Sequence, residues 1–210
     1  MARTGEGSGG ISAFVVDGDA PGMSAGPAEQ KMGLKGSNTV PLMLEDVRVP
    51  ASRLLGQEGD GFRIAMHALD GGRIGISAQS LGIGLAAVGE ATRYMSERKA
   101  FGKTIDRLQA LQFMIADAAT ELEASRLLML QAADLRDRKQ PMSKQAAMAK
   151  VFASEACGRA VDSCLQIHGG YGYVKEFAIE RLYRDARVTR IYEGTSEVQR
   201  VVIARSVLRD

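Results

Sequence analysis

The sequence has 210 residues, enough for one large domain or two small ones with a hydrophobic core. Its 27 basic and 25 acidic side chains are mixed along the chain and leave a formal net charge of +2, which excludes the one-signed field of a nucleic-acid or anionic-membrane binder. The longest apolar runs are broken by serine, glutamine and glycine, so no membrane span is expected. These features predict a soluble, cytosol-like protein.

The first part of the sequence, residues 1–56, shows short strand-like segments separated by turns. An apolar, β-branched run at residues 11–16 precedes a turn-rich stretch at 17–27, and two further strand-like segments lie around residues 31–35 and 40–49. Three strands alone make a marginally stable sheet unless other elements cover the open edge. We therefore expect this part to belong to a larger β domain whose other strands would precede the sequence.

From residue 60 onward, apolar residues recur every three or four positions, which predicts helices. A long helix is expected over residues 60–97. The next helix is expected to begin at a cap formed by Asp106. Its apolar stripe consists of Leu108, Leu111, Ile115, Ala118 and Leu122.

Three more helices complete the predicted bundle. The third is expected over residues 143–167 and ends at a glycine pair, because glycine terminates a helix at low cost. A short fourth helix covers residues 179–186, and the last begins near Ser196, which is expected to form a capping box with Gln199. The predicted fold class is mainly α: an antiparallel four-helix bundle over residues 57–210 with an additional C-terminal helix.

The cysteines and histidines give no sign of a metal site. Cys157 and Cys164 lie seven residues apart on one predicted helix, which separates their Cα atoms by about 10 Å, too far for a disulfide. His67 and His168 have no partners at a metal-ligand spacing. We expect two buried thiols and no metal.

Four segments place polar side chains beside glycine: residues 70–73, 98–102, 166–172 and 191–196. Glycine lets a ligand approach the backbone closely, and exposed amides at helix ends favour phosphate groups. The segments therefore indicate a nucleotide-like ligand, although a glycine beside a helix end more often marks a simple turn.

These segments, in this order, resemble the C-terminal half of acyl-CoA dehydrogenases, and the resemblance covers nearly the whole chain. Residues 98–102 match the family's Arg-x-x-Phe-Gly motif, and residues 166–170 match its Gln-x-x-Gly-Gly motif. The resemblance implies that residues 1–56 are a fragment of a β-barrel-like middle domain and that residues 57–210 are the C-terminal helical domain. It also implies FAD as the cofactor and a homo-oligomer that is a dimer of dimers.

The resemblance gives several residues a role in binding FAD. Arg98 is expected to contact the pyrophosphate of the neighbouring subunit's FAD, with the ring of Phe101 anchoring the turn and the following glycine ending the long helix. Four further residues are expected to approach the adenosine end of that cofactor: Gln109, Gln166, Gly169 and Gly170. Thr195 and Glu197 are expected to face the subunit's own FAD. From the residues alone, Gln109 as a helix cap and an Arg98–Glu97 ion pair stay open.

Residues 192–196 match the family's Tyr-Glu-Gly-Thr-Ser motif, which implies that Glu193 is the catalytic base. The chemistry needs a carboxylate that gains proton affinity when an acyl chain displaces water, because the α-proton of a thioester is weakly acidic. By resemblance, the thioester oxygen accepts hydrogen bonds from the Glu193 amide and a flavin ribityl hydroxyl. The β-hydrogen then leaves as hydride to the flavin, and Tyr192 and Gly194 line the substrate.

Some family members instead carry the base just before the arginine that matches Arg73, where this sequence has Gly72. The resemblance therefore favours a short-chain or isobutyryl-like type over the isovaleryl and long-chain types. Asp70 and Arg73 match positions that line the acyl-CoA cleft.

The leading hypothesis is FAD-dependent dehydrogenation of a short or branched acyl-CoA to trans-2-enoyl-CoA, with electrons passed to an electron-transfer flavoprotein. The location implied is the bacterial cytoplasm or, in a eukaryote, the mitochondrial matrix. Two alternatives are an acyl-CoA oxidase of the same fold and a non-catalytic helical assembly subunit. A nitroalkane oxidase would be expected to carry aspartate in place of Glu193. The sequence taken alone is expected to bind little FAD and to be inactive.

Overall fold

The computed structural model describes residues 1–208. The chain forms two compact units, Met1–Leu69 and Asp70–Asp210, and the long first helix belongs to both. The sequence places a domain boundary between residues 56 and 57, just before that helix; this boundary stays a prediction.

The first unit contains two small antiparallel sheets. In one sheet, β2 (Ile11–Phe14) is the central strand between β1 (Ala2–Arg3) and β5 (Leu54–Leu55). In the other, β3 (Met23–Ala25) pairs with β4 (Leu42–Leu44). All five strands are two to four residues long, so this unit has little regular structure of its own.

Two of the strand predictions differ from the structure. The segment 31–35 is not a strand, because Leu34 takes a left-handed φ of 47° and the Lys31 ammonium closes the loop on the Ser37 carbonyl at 2.6 Å. The expected strand at 40–49 is shorter, since Asp46 also has a positive φ of 52°. The strand β3 lies inside the stretch predicted to be only turns.

Within residues 1–208, five α-helices contain more than half of the residues, which confirms the mainly α class. They are α1 (Gly61–Glu97), α2 (Gln109–Asp137), α3 (Ser143–His168), α4 (Ala178–Ala186) and α5 (Ser196–Val207). Residues 98–108 connect α1 to α2, and residues 138–142 connect α2 to α3. Short connections of this kind join antiparallel neighbours, α1 with α2 and α2 with α3.

Helix α3 is the centre of the helical unit and contacts α2, α4 and α5. Its buried face consists largely of small residues, which let neighbouring helices approach closely: Ala146, Ala149, Ala153, Ala156 and Ala160. Near its C-terminal end, Cys157, Val161 and Cys164 pack in one cluster with Ala87 and Met95 of α1. The α1 helix therefore lies against the same central helix.

The two cysteines are buried and unpaired, as predicted. Burial in apolar surroundings raises the pKa of both thiols, Cys157 and Cys164, to about 12. Within residues 1–208, no group of three His, Cys, Asp or Glu side chains is placed to hold a metal ion.

Helix α1 ends in a short hairpin that carries one of the motifs. Strands β6 (Lys99–Ala100) and β7 (Lys103–Thr104) pair through a two-residue turn at Phe101 and Gly102, whose φ angles are 54° and 78°. Two left-handed residues are the requirement of a type I′ turn. The glycine thus shapes the hairpin, and α1 has already ended at Glu97.

Three smaller sequence predictions are wrong. The ring of Phe101 is 90% exposed and does not anchor its turn within this chain. Asp106 lies in a short 3₁₀ turn ahead of α2 instead of capping that helix. At the start of α5, the cap is Thr195, whose hydroxyl accepts from the Val198 amide at 3.4 Å. The Ser196 hydroxyl instead donates to the Glu155 carboxylate.

Helix α1 is also the one helix among the described residues that is long and apolar enough to cross a membrane by composition, with a mean hydropathy of 1.2 over its most apolar window. This is weak evidence, because core helices of soluble proteins pass the same test. The helix buries Ser77, Ser80 and Arg73 against its neighbours. The absence of a membrane span stays a prediction.

Candidate active site

The turn that precedes α5 has an unusual backbone. Glu193 and Gly194 are consecutive left-handed residues, with φ angles of 53° and 88°. For glutamate this conformation costs about 1–3 kcal/mol, so the surroundings must hold it in place. Glycine is required next to it, because a Cβ at 194 would lie 2.7 Å from Nε2 of Gln199. We call Glu193–Gly194 the base turn.

Two buried side chains donate hydrogen bonds to the backbone carbonyls of the base turn. The Lys150 ammonium on α3 donates to the Gly194 carbonyl at 2.7 Å. The Gln199 amide on α5 donates to the same carbonyl at 2.9 Å and to the Glu193 carbonyl at 3.2 Å. Both side chains are fully buried. A third contact anchors the start of α5 two residues after the base turn, since the buried Ser196 donates to Glu155 at 2.7 Å.

The Glu193 carboxylate lies directly against Gly72 of α1. A Cβ added to Gly72 would be 2.4 Å from Oε2 of Glu193 and 2.8 Å from its carboxyl carbon. No side chain therefore fits at position 72 while Glu193 keeps this place. The two positions at which the family is expected to carry its base thus lie side by side, and a side chain at 72 would displace the Glu193 carboxylate from its present place.

Asp70 and Arg73, which lie on either side of Gly72 in the sequence of α1, form a buried ion pair. Their side chains meet at 2.6 Å, and Arg73 is only 6% exposed. The second oxygen of the Asp70 carboxylate accepts a hydrogen bond from Ser143 at the start of α3. The pair therefore joins α1 to α3, and the Nε of Arg73 is left buried without a partner among residues 1–208.

Tyr192 fixes the other side of the base turn. Its hydroxyl donates to Oε1 of Gln79, which lies two helical turns after Gly72 on the same face of α1. Burial raises the pKa of Tyr192, an effect that the Gln79 hydrogen bond opposes and the charge of Glu193 supports. The phenol is thus neutral at ordinary pH and positions the turn through a hydrogen bond.

A second group of predicted residues lies at the far end of α3. Arg98 is exposed, and its guanidinium carbon is 5.5 Å from the centre of the Tyr171 ring. Arg98, Tyr171, Gly169 and Gly170 line one groove of about 500 Å³ together with Tyr94. The ion pairs of residues 1–208 do not include Arg98 with Glu97. The alternative in which Arg98 is only a surface partner of Glu97 is therefore not observed.

The floor of this groove is formed by packed aromatic rings. His168 is 3% exposed, stacks on Tyr94 with ring centres 4.4 Å apart, and donates from Nδ1 to the Cys164 carbonyl at 2.7 Å. A Cβ on Gly169 or Gly170 would meet no atom within 4 Å, so the glycine backbone is open to a ligand. A cation, an aromatic ring and open glycine backbone fit the pyrophosphate and adenosine of FAD.

The two groups are far apart in one chain. Lys150 beneath the base turn and His168 beneath the groove are separated by 18 residues of one helix, about 27 Å along its axis.

The other predicted cofactor residues lie near one site or on α2. Gln166 lies exposed on α3 close to the groove, and Gln109 is the exposed first residue of α2. Thr195 and Glu197 lie beside the base turn, where the Thr195 hydroxyl lowers the pKa of Glu197.

Sequence reasoning missed three residues that support the base turn: Lys150, Gln199 as its second donor, and Gln79. The only signal for Lys150 was a cationic side chain within an alanine-rich helical face. For Gln199, the sequence predicts a capping box with Ser196 and not a hydrogen bond to the base turn. Nothing in the sequence marked Gln79, because its partner is more than a hundred residues away.

A family model and similar curated proteins point to the same protein family. Residues 59–208 match the family described as "Acyl-CoA dehydrogenase, C-terminal domain". The mitochondrial short-chain specific acyl-CoA dehydrogenase of Bos taurus is 52% identical over 200 residues, 95% of this chain and 48% of that protein. A subunit of the caffeyl-CoA reductase–Etf complex of Acetobacterium woodii is 51% identical over 204 residues, 97% of this chain and 54% of that protein.

A solved structure shares the same fold. Butyryl-CoA dehydrogenase from Megasphaera elsdenii superposes with a TM-score of 0.98 at 44% identity, over 99% of this chain and 55% of that one. The chain spans about half the length of the relatives it matches. The family match over most of the chain and the level of identity lead to one conclusion: the chain belongs to the acyl-CoA dehydrogenase family.

Proposed function

We propose that this chain is the C-terminal half of an enzyme that removes two hydrogens from a short or branched acyl-CoA, with FAD as cofactor, and yields a trans-2-enoyl-CoA. The relatives are about twice as long, and the full-length protein is this chain joined to the remaining half. The observation that carries the proposal is the base turn, a strained carboxylate-bearing backbone held by two buried donors. Such strain is typical of functional sites.

Glu193 is proposed to take the α-proton onto its carboxylate. The Glu193 N–H makes no hydrogen bond within residues 1–208, so this amide is available to a ligand. It is proposed to donate to the thioester oxygen, where negative charge builds up as the α-proton leaves. One residue then supplies both the base and a donor to the developing enolate.

FAD, when bound, supplies the acceptor for the β-hydride. The groove at the end of α3 is proposed to hold the cofactor of a neighbouring subunit through Arg98, with the exposed ring of Phe101 reaching toward that subunit. Other residues proposed to contact FAD are Gln109, Gln166, Gly169, Gly170, Thr195 and Glu197. Lys150 beside the base turn and His168 at the groove lie about 27 Å apart along α3, at about 1.5 Å per residue. This separation supports the proposal that the groove and the base turn contact two different FAD molecules.

The proposed partners are acyl-CoA, an electron-transfer flavoprotein and further copies of this chain in a dimer of dimers. The name of the Acetobacterium woodii relative, a subunit of an Etf complex, supports the electron-transfer partner. Tyr192 and Gly194 are proposed to line the acyl-CoA beside Glu193, and the Asp70–Arg73 pair to shape the cleft from α1.

A second candidate is the reverse reaction, reduction of a 2-enoyl-CoA, because that same relative is named a reductase. Glu193 would then return a proton to the α-carbon, since the same group serves both directions of a proton transfer. The base turn is compatible with either direction.

The substrate class is tested with the full-length protein and a series of saturated acyl-CoAs from four to sixteen carbons, including isobutyryl-CoA. Turnover with an electron-transfer flavoprotein as acceptor is expected to be fastest on the four-carbon and branched substrates. A preference for the longest chains would contradict the proposal. Reduction of crotonyl-CoA without oxidation of butyryl-CoA would favour the reverse reaction.

The contact between Gly72 and Glu193 gives a sharper prediction. Gly72→Ala in the full-length protein is expected to lower kcat by about tenfold or more, because the added methyl occupies the place of the carboxylate and shifts the base. The matched control is Gly75→Ala on the same helix, whose Cβ meets nothing within 4 Å and which is expected to keep its activity. Equal rates for the two variants would show that Glu193 does not need this position.

A further inference from the structure

Lys150 is a fully buried lysine with a position that the proposed chemistry does not explain. Burial lowers its pKa to about 8, and the nearby charge of Arg73 acts in the same direction. The carboxylates of Glu155, Glu193 and Glu197 oppose this effect. A lysine is rarely buried completely unless its charge has a partner.

The hydrogen bond of Lys150 goes to the backbone and not to any of these carboxylates. Its ammonium donates to the Gly194 carbonyl at 2.7 Å and forms no ion pair within residues 1–208. Glu155 is instead engaged by Ser196 and Arg190. The charge of Lys150 is therefore left to act on the groups around the base turn.

Gln199 already supplies a neutral hydrogen bond to the same carbonyl at 2.9 Å. The backbone of the base turn would keep this donor if Lys150 were replaced by an apolar residue. What Lys150 adds is a second donor on another helix and a positive charge. The two donors reach the carbonyl from different helices, α3 and α5, and together they fix its direction.

We propose that Lys150 is a positioning residue for the base: it fixes the Gly194 carbonyl from α3, so that Glu193 keeps its left-handed backbone and its carboxylate keeps its place beside Gly72. The inference rests on the proposed role of Glu193. It assigns the strained turn a support on α3 that does not touch the substrate.

The test uses the full-length, flavin-loaded protein with Lys150→Met and Lys150→Arg. Lys150→Met is expected to lower kcat about ten- to hundredfold at neutral pH, with little change in the KM for butyryl-CoA. Lys150→Arg keeps a charged donor at this position and is expected to restore kcat to within about threefold of the wild type.

A structural effect is separated by Val161→Ala, a buried core change on the same helix about 16 Å from Lys150. This variant is expected to lower the melting temperature while leaving kcat and KM near the wild-type values. If Lys150→Met does not fold, Lys150→Leu replaces it as a second variant without a donor. A folded variant without a donor that keeps the wild-type kcat overturns the proposal, as does a Val161→Ala variant whose kcat falls equally.

The outcomes also distinguish this inference from the proposed function. If Glu193→Gln keeps its activity, the assignment of the base fails, and Lys150 has no base to position. If Glu193→Gln is inactive while the neutral Lys150 variants behave as the wild type, the base stands and only the role of Lys150 is overturned.

Discussion

Glu193→Gln in the full-length protein is expected to lower acyl-CoA dehydrogenation by about 10³-fold or more while leaving the flavin bound, because an amide cannot accept the α-proton. The amide has nearly the shape of the carboxylate, so the close contact with Gly72 and the hydrogen bonds of Lys150 and Gln199 to the backbone are retained. Steady-state rates and the flavin absorption spectrum measure the two parts of this result.

The matched control is Glu176→Gln, an exposed carboxylate outside the base turn. It is expected to keep wild-type rates and spectrum. Activity of Glu193→Gln within tenfold of the wild type would show that the base lies elsewhere.

The second large effect is expected at the groove. Arg98→Ala should weaken FAD binding about ten- to hundredfold, since a charge-assisted contact to the pyrophosphate is worth about 1.5–3 kcal/mol. Titration of the apoprotein with FAD gives the affinity. The control is Arg93→Ala, an exposed arginine that pairs with Glu90 on the same helix; a surface ion pair of this kind contributes about 0–1 kcal/mol. Similar FAD affinities for the two variants would mean that Arg98 is only a surface residue.

Mixed dimers show which subunit's cofactor Arg98 serves. One subunit carries Arg98→Ala and the other Glu193→Gln. If Arg98 acts across the interface, the intact Arg98 serves the one site with an intact Glu193, and that site keeps its flavin and activity. If Arg98 serves its own subunit, the mixed dimer has almost no active site, and the proposed interface fails.

The helices were predictable because their signal is local. An apolar residue every three or four positions is present whether or not the partner helix is known, so α1 was expected over residues 60–97 and is observed at Gly61–Glu97. The short strands were harder, since a three-residue strand such as Met23–Ala25 exists only because Leu42–Leu44 lies beside it. A positive φ at Leu34 or Asp46 leaves little trace in composition.

The residues of the candidate active site show the same difference between local sequence signals and contacts between distant segments. Glu193 and Arg98 were found because each sits in a short contiguous motif beside glycine. Lys150 and Gln79 are 43 and 114 positions away from Glu193 in the sequence, and their role depends on helix packing that no local pattern encodes. The close contact between Gly72 and the Glu193 carboxylate likewise depends on helix packing and has no local signal in the sequence.

The central claim is that Glu193 removes the α-proton, and a single turnover without oxygen tests it most directly. The full-length protein, wild type or Glu193→Gln, is mixed with excess butyryl-CoA, and the flavin absorbance is followed by stopped flow. The account predicts rapid loss of the oxidised flavin band in the wild type and a band that persists at least about 10³ times longer in Glu193→Gln. Loss of the band in Glu193→Gln at a rate within tenfold of the wild type would contradict it.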